Sequence, residues 1–168
     1  MKLRIVIYTL LFIFFTPNFL FSDDWYRSVP DSTTPSLGWD CSITLDSNGY
    51  PHIVYHDNSF GDLRYAKFDG NTWNTEIIDS IGTVGRHCSI VLDQNDIPHI
   101  SYQKALARTD VGLKYATLSD TGWTKIFLDT EEAGAPNMWT SIGINPESFP
   151  CISYQNVYGD KVKFAYQD

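Results

Sequence analysis

The chain writes one phrase three times. "LDSNGYPHIVYHD" runs from Leu45 to Asp57, and "LDQNDIPHISYQK" returns from Leu92 to Lys104, about 47 residues further on. A third copy, "INPESFPCISYQN", starts at Ile144 and carries Cys151 where the others have His52 and His99. A period of this size marks one supersecondary unit that cannot bury its apolar face alone, so similar units must stack. Whatever this chain folds into is built by repetition.

Each unit divides into short segments rich in β-branched and aromatic residues, set between Gly, Asn, Asp and Pro turns. The first holds "CSITLD" (41–46), "PHIVYHD" (51–57), "DLRYAKF" (62–68) and "TWNTEIID" (72–79). The second holds "CSIVLD" (88–93), "PHISYQ" (98–103), "GLKYATL" (112–118) and "GWTKIFLD" (122–129). The third has "TSIGIN" (140–145), "PCISYQ" (150–155) and "KVKFAY" (161–166). These are strands at hairpin spacing, and nothing beyond residue 22 shows a helical apolar period. The spacing therefore predicts an all-β chain of β-propeller blades, each a four-stranded antiparallel sheet, with repeats at about 40–79, 87–129 and 139–168.

Trp25–Val29 aligns with Trp73–Ile77, which predicts an outer strand at 25–30 that lacks its own three inner strands. About three blade equivalents result, the last split between the N- and C-termini. A three-bladed ring is too small, and open blade edges invite association. The expectation is a homodimer that closes a six-bladed ring, or else a truncated piece of a longer propeller.

Lys2 and Arg4 precede an apolar run from Ile5 to Phe15, and Pro17-Asn18 breaks it. This run is too short to cross a bilayer of about 30 Å. Residues 1–22 read as a signal peptide, which makes 23–168 the exported domain, secreted or periplasmic, with no membrane insertion. Loss of that leader moves the formal charge from −8 to −10. An acidic surface disfavours nucleic acid. Cys41, Cys88 and Cys151 are too few and too far apart in the repeat for a disulfide framework, and are expected as small buried thiols.

The repeat resembles sialidase-like and fucose-lectin-like β-propellers, in the bacterial exported form "S-I-x-L-D-x-N-G-x-P-H-I-x-Y". "LDSNGYPHIVY", "LRYAKFDGNTW" and "LKYATLSDTGW" carry the likeness, which extends over roughly 25–168. Asp69-Gly70-Asn71-Thr72-Trp73 keeps the Asp, Gly, Thr and Trp of the sialidase Asp box with one spacer fewer. In that family the box is a structural turn, so the resemblance implies the fold and leaves the activity open.

The residues themselves argue against catalysis. Arg27, Arg64, Arg86 and Arg108 fall at different repeat positions and do not converge as a sialidase's arginine cluster would. No nucleophile–base order stands out. His52, His99 and Cys151 share one position, but residues of successive blades are dispersed around an axis, so hydrogen bonding within each blade is the expected role, and no metal site. Asp46 and Asn48 lack the carboxylates a calcium site needs. No cofactor is expected. Arg64, Lys114 and Lys163 form a basic series expected to pair across strands with carboxylates such as Asp46 or Asp93.

Variable loops on a rigid frame are where binding concentrates. Here these are 56–62, 103–112, 155–161, 79–87 and 129–139, all at one end of the blades. Trp39, Asp40, Asp57, Arg86, His87, Gln103, Trp139 and Gln155 lie there, and aromatic rings beside amide, acid and cationic groups suit a glycan ligand. The sequence therefore predicts a non-enzymatic, lectin-like repeat protein. A protein-interaction or cell-surface scaffold is the alternative, and a sialidase-type glycosidase the remotest.

Overall fold

A computed structural model of the chain describes residues 25–105, 111–131, 138–155 and 161–168. The proposed leader at 1–22 lies outside the described residues, as do parts of the variable loops.

Three antiparallel sheets follow one another along the chain. The first contains β1 (Trp39–Leu45), β2 (Pro51–Asp57), β3 (Asp62–Phe68) and β4 (Trp73–Asp79), in that spatial order. The second contains β5 (Thr83–Leu92), β6 (Pro98–Ala105), β7 (Val111–Ser119) and β8 (Gly122–Glu131), again in order. The third has three strands, β9 (Thr140–Ile144), β10 (Pro150–Gln155) and β11 (Val162–Tyr166). The repeat reading of the strands holds, and the described residues form three sheets without closing a ring.

One device starts every sheet. Asp46 accepts the N–H groups of Asn48 at 2.9 Å and Tyr50 at 2.8 Å, which folds the turn from the first strand into the second. Asp93 does the same for Asn95 and Ile97, and Asn145 for Glu147 and Phe149. The short Asp or Asn side chain mimics a backbone acceptor and fixes the hairpin register.

Alternation along each strand sends one row of side chains to each neighbouring sheet. Leu63, Tyr65 and Val54 of the first sheet meet Cys88, Ile90, Ile100 and Tyr102 of the second in one buried cluster. Leu113 and Tyr115 of the second meet Ile152 and Tyr154 of the third in another. Each such side chain contributes about 1.5–3 kcal/mol on burial. Gly85 lets the sheets close: at φ +88, a Cβ there would sit 2.9 Å from the Cα of Leu63.

A polar lock joins each boundary. Asp79, at the end of β4, accepts from Tyr102 Oη at 2.9 Å and from Lys114 Nζ, both in the second sheet. Asp129 accepts from Tyr154 Oη at 2.8 Å and Lys163 Nζ at 2.6 Å, both in the third. Asp31 accepts from Tyr55 Oη at 2.6 Å and Arg64 at 3.2 Å, both in the first. Lys114 and Lys163 thus pair with carboxylates at or near the end of the preceding outer strand. Arg64 pairs with Asp31 and with Asp57 of its own sheet, and none of the three pairs with Asp46 or Asp93. Lys114 and Lys163 extend towards the neighbouring sheet, away from the turn at the base of their own.

In a single chain Trp25–Val29 forms no strand with the described residues and lies exposed. One further expectation is corrected. Only Cys88 is buried; Cys41 is exposed and Cys151 intermediate, and all three are free thiols. Cys41 faces outward from the first sheet, in an open hollow it shares with Pro30, Leu37 and Tyr55.

Candidate functional site

The eight residues singled out from the sequence fall into two groups. Asp40 and His87 occupy matching bulges of β1 and β5, with φ +49 and +50. Asp40 Oδ1 lies 3.3 Å from His87 Nδ1, and the His87 ring lies against Trp139 with centroids 4.5 Å apart. Asp40, His87 and Trp139 therefore run as a chain across the starts of three inner strands. Trp39 and Trp139 are more than half exposed.

The other residues turn inward or serve the frame. Asp57 is fully buried, 3.0 Å from Arg64 Nε, and accepts from the Thr34 hydroxyl and the Ser59 N–H. Gln103 is fully buried opposite Arg86, and its side-chain amide has no partner among the described residues. Gln155 donates its backbone N–H to Trp139 O at 3.1 Å.

The opposite end of the sheets holds a feature the sequence reading passed over. An open cleft of about 350 Å³ separates the first and second sheets. His52, Tyr65, Lys67, Asn74 and Glu76 line it from one side, and Asp96, Pro98 and Leu118 from the other. Register explains the gathering. His52 pairs with Lys67 and Lys67 with Asn74, while Tyr65 pairs with Glu76, so all five share the sheet face turned to the second sheet.

The floor of this cleft is held rigidly. Tyr65 Oη bonds His52 Nδ1 at 2.6 Å, and Asp46 lies 3.7 Å from the other ring nitrogen. His52 Nε2 is buried, with the Asp46 carboxylate beside it and no shorter hydrogen bond among the described residues. Burial, reinforced by the Lys67 charge, holds the His52 pKa below its ordinary value despite Asp46. Burial works to raise the Asp46 carboxyl, but the Tyr50 and Asn48 N–H groups, His52 and Lys67 outweigh it and leave its pKa lowered. Burial, with Glu76 and Asp46 nearby, raises the Tyr65 hydroxyl. Asp96 is anchored by Ser47, which donates its N–H at 2.9 Å and its hydroxyl at 2.6 Å. His52 and His99 thus bond to a tyrosine of their own sheet, as expected of a histidine held within each repeat.

The corresponding cleft between the second and third sheets has Thr117, Thr124 and Ile126 where the first has Lys67, Asn74 and Glu76. Only the first carries that cation, amide and carboxylate together. Donors and acceptors facing an apolar wall of Pro98 and Leu118 can hold a small polyhydroxylated molecule, whose hydroxyls point outward from apolar C–H faces.

Three solved structures share this architecture. One is a fucose lectin from Kordia zhangzhouensis in complex with methyl-fucoside, with TM-score 0.52 and 18% identity over 76% of this chain and 92% of that one. Another is the alpha-L-arabinofuranosidase Arb93A from Fusarium graminearum in complex with an iminosugar inhibitor, with TM-score 0.52 and 12% identity over 83% of this chain and 46% of that one. A third is AofleA from Arthrobotrys oligospora, with TM-score 0.52 and 10% identity over 82% of this chain and 42% of that one. The chain spans nearly the whole lectin and less than half of the other two. At these identities the likeness is one of fold. No family model and no curated protein matches the sequence.

Proposed function

We propose that this chain is an exported carbohydrate-binding protein that holds its ligand without transforming it. The cleft between the first two sheets is the binding site. The observation that carries this reading is the grouping of Lys67, Asn74, Glu76 and His52 on one face of the first sheet. A fold shared with a fucose lectin supports it.

Titration calorimetry with methyl-fucoside and a panel of simple methyl glycosides tests the reading. Binding of one of them that Lys67→Ala and Glu76→Ala each weaken at least tenfold is expected. The exposed Trp139, its ring tilted against His87, supports a second reading in which the sugar sits at the other end of the sheets. Loss of binding with Trp139→Ala and full binding with Lys67→Ala would select that site. Hydrolysis of an aryl glycoside by the purified chain would show an enzyme, and a flat panel would defeat glycan binding at either place.

A further inference from the structure

The two outer faces of the three-sheet stack are the two halves of its own internal interface. Between the first and second sheets, Leu63 and Tyr65 meet Cys88 and Ile90, and all four are buried. Val162 and Phe164 hold the places of Leu63 and Tyr65 on the third sheet, and are 86% and 64% exposed. Cys41 and Ile43 hold the places of Cys88 and Ile90 on the first sheet; Cys41 is exposed and Ile43 is 61% exposed. Like residue types in like register are buried inside the molecule and exposed at its two ends.

Asp31 adds a second, independent sign. It binds Tyr55 and Arg64 as Asp79 binds Tyr102 and Lys114, and as Asp129 binds Tyr154 and Lys163. Asp79 ends β4, and Asp129 lies near the end of β8. Residues 25–30 stand before Asp31 as those strands stand before their aspartates, yet they pair with no sheet, and Trp25 is 93% exposed. Among the described residues β11 is the edge of its sheet, with no fourth strand beside it.

We propose that the third sheet of one copy docks on the first sheet of a second copy, whose residues 25–30 add to β11 as the missing strand. Strand addition supplies backbone hydrogen bonds, and the docked faces supply the apolar contact already seen twice within the chain. Each copy offers both halves, so a twofold pair satisfies both ends at once and brings six sheets together. The Asp31 lock then spans a complete boundary between sheets.

Light scattering on the purified chain is expected to give twice the mass of one chain. Ile43→Asp and Phe164→Asp each spoil one half of the interface at a side chain exposed in the single copy, and each is expected to give a folded monomer by circular dichroism. Val162→Lys is the substitute should Phe164→Asp unfold. Mixing the two monomeric variants restores one intact boundary and is expected to recover dimer. Dimer that survives in one variant and fails in the other would mean that like faces pair, which overturns the proposal. A folded monomer of the unaltered chain overturns it as well, as does a ladder of higher multiples, the sign of an open array.

Discussion

The hydroxyl of Tyr102 donates to the carboxylate of Asp79 at 2.9 Å, a bond that crosses from the second sheet to the first. Lys114 reaches the same carboxylate oxygen, so a buried cation and a buried anion meet where two repeats join. Burial works to raise the Asp79 pKa, but Lys114, Tyr102 and the Ile81 N–H outweigh it and leave it lowered. The lock holds a boundary that apolar packing alone would leave free to slide.

Removing one partner of such a buried pair strands the other charge. Asp79→Ala is expected to cost about 3–5 kcal/mol in urea melts. The equivalent Asp129→Ala is expected to cost about 1 kcal/mol or less, because Lys163 is 34% exposed and turns to water.

Mild acid should loosen the fold through its buried histidines. Burial lowers the pKa of His52 and of His99 below 6.5, so both are neutral in the folded chain where the unfolded chain takes up protons. Their contribution is fully present above pH 6.5 and is lost as pH falls through the folded values. The urea midpoint is expected to be lower at pH 5 than at pH 7. The double variant His52→Gln, His99→Gln is expected to flatten that difference.

The thiols report on the outer face. Cys88 is buried and its pKa raised by burial, with Asp40 adding to the rise, so Ellman's reagent is expected to reach it only on unfolding. Cys41 is expected to react readily in the Ile43→Asp and Phe164→Asp variants and slowly in the unaltered chain, where a second copy covers it.

The tryptophans that open two outer strands are both partly buried, but they do unequal work. Trp123 packs against the core with its ring 5.4 Å from Tyr65, whereas Trp73 meets Phe68 at 5.3 Å outside that cluster. Trp123→Ala is expected to cost about 3–5 kcal/mol. Trp73→Ala is expected to cost about 1–2 kcal/mol. Urea melts of the two variants compare them directly.

Strand order and hairpin register could be read from the sequence because both are local. The turn aspartates act on N–H groups two and four residues ahead, and the repeat shows that spacing three times. Partners of Arg64, Lys114 and Lys163 could not be read in this way. Asp79 stands 35 residues before Lys114 and Asp129 34 before Lys163, each in a different unit that only stacking brings close. Asp31 stands 33 residues before Arg64, outside any strand. Lys67 and Glu76 were passed over for another reason. Neither recurs in the other units, so a reading that follows the repeat discounts them. Their one signal is alternation, which puts both on the face of the first sheet that carries Tyr65.

The repeated unit, its strands and its turns follow from local sequence, because periodicity two, β-branched runs and self-bonding aspartates act over a few residues. Tertiary structure decided which faces are covered. Cys41 and Cys88 share one repeat position, as do Tyr65 and Phe164, yet one of each pair is buried and the other exposed. Burial belongs to whatever sheet lies across the boundary, and no residue type carries that information within its own strand.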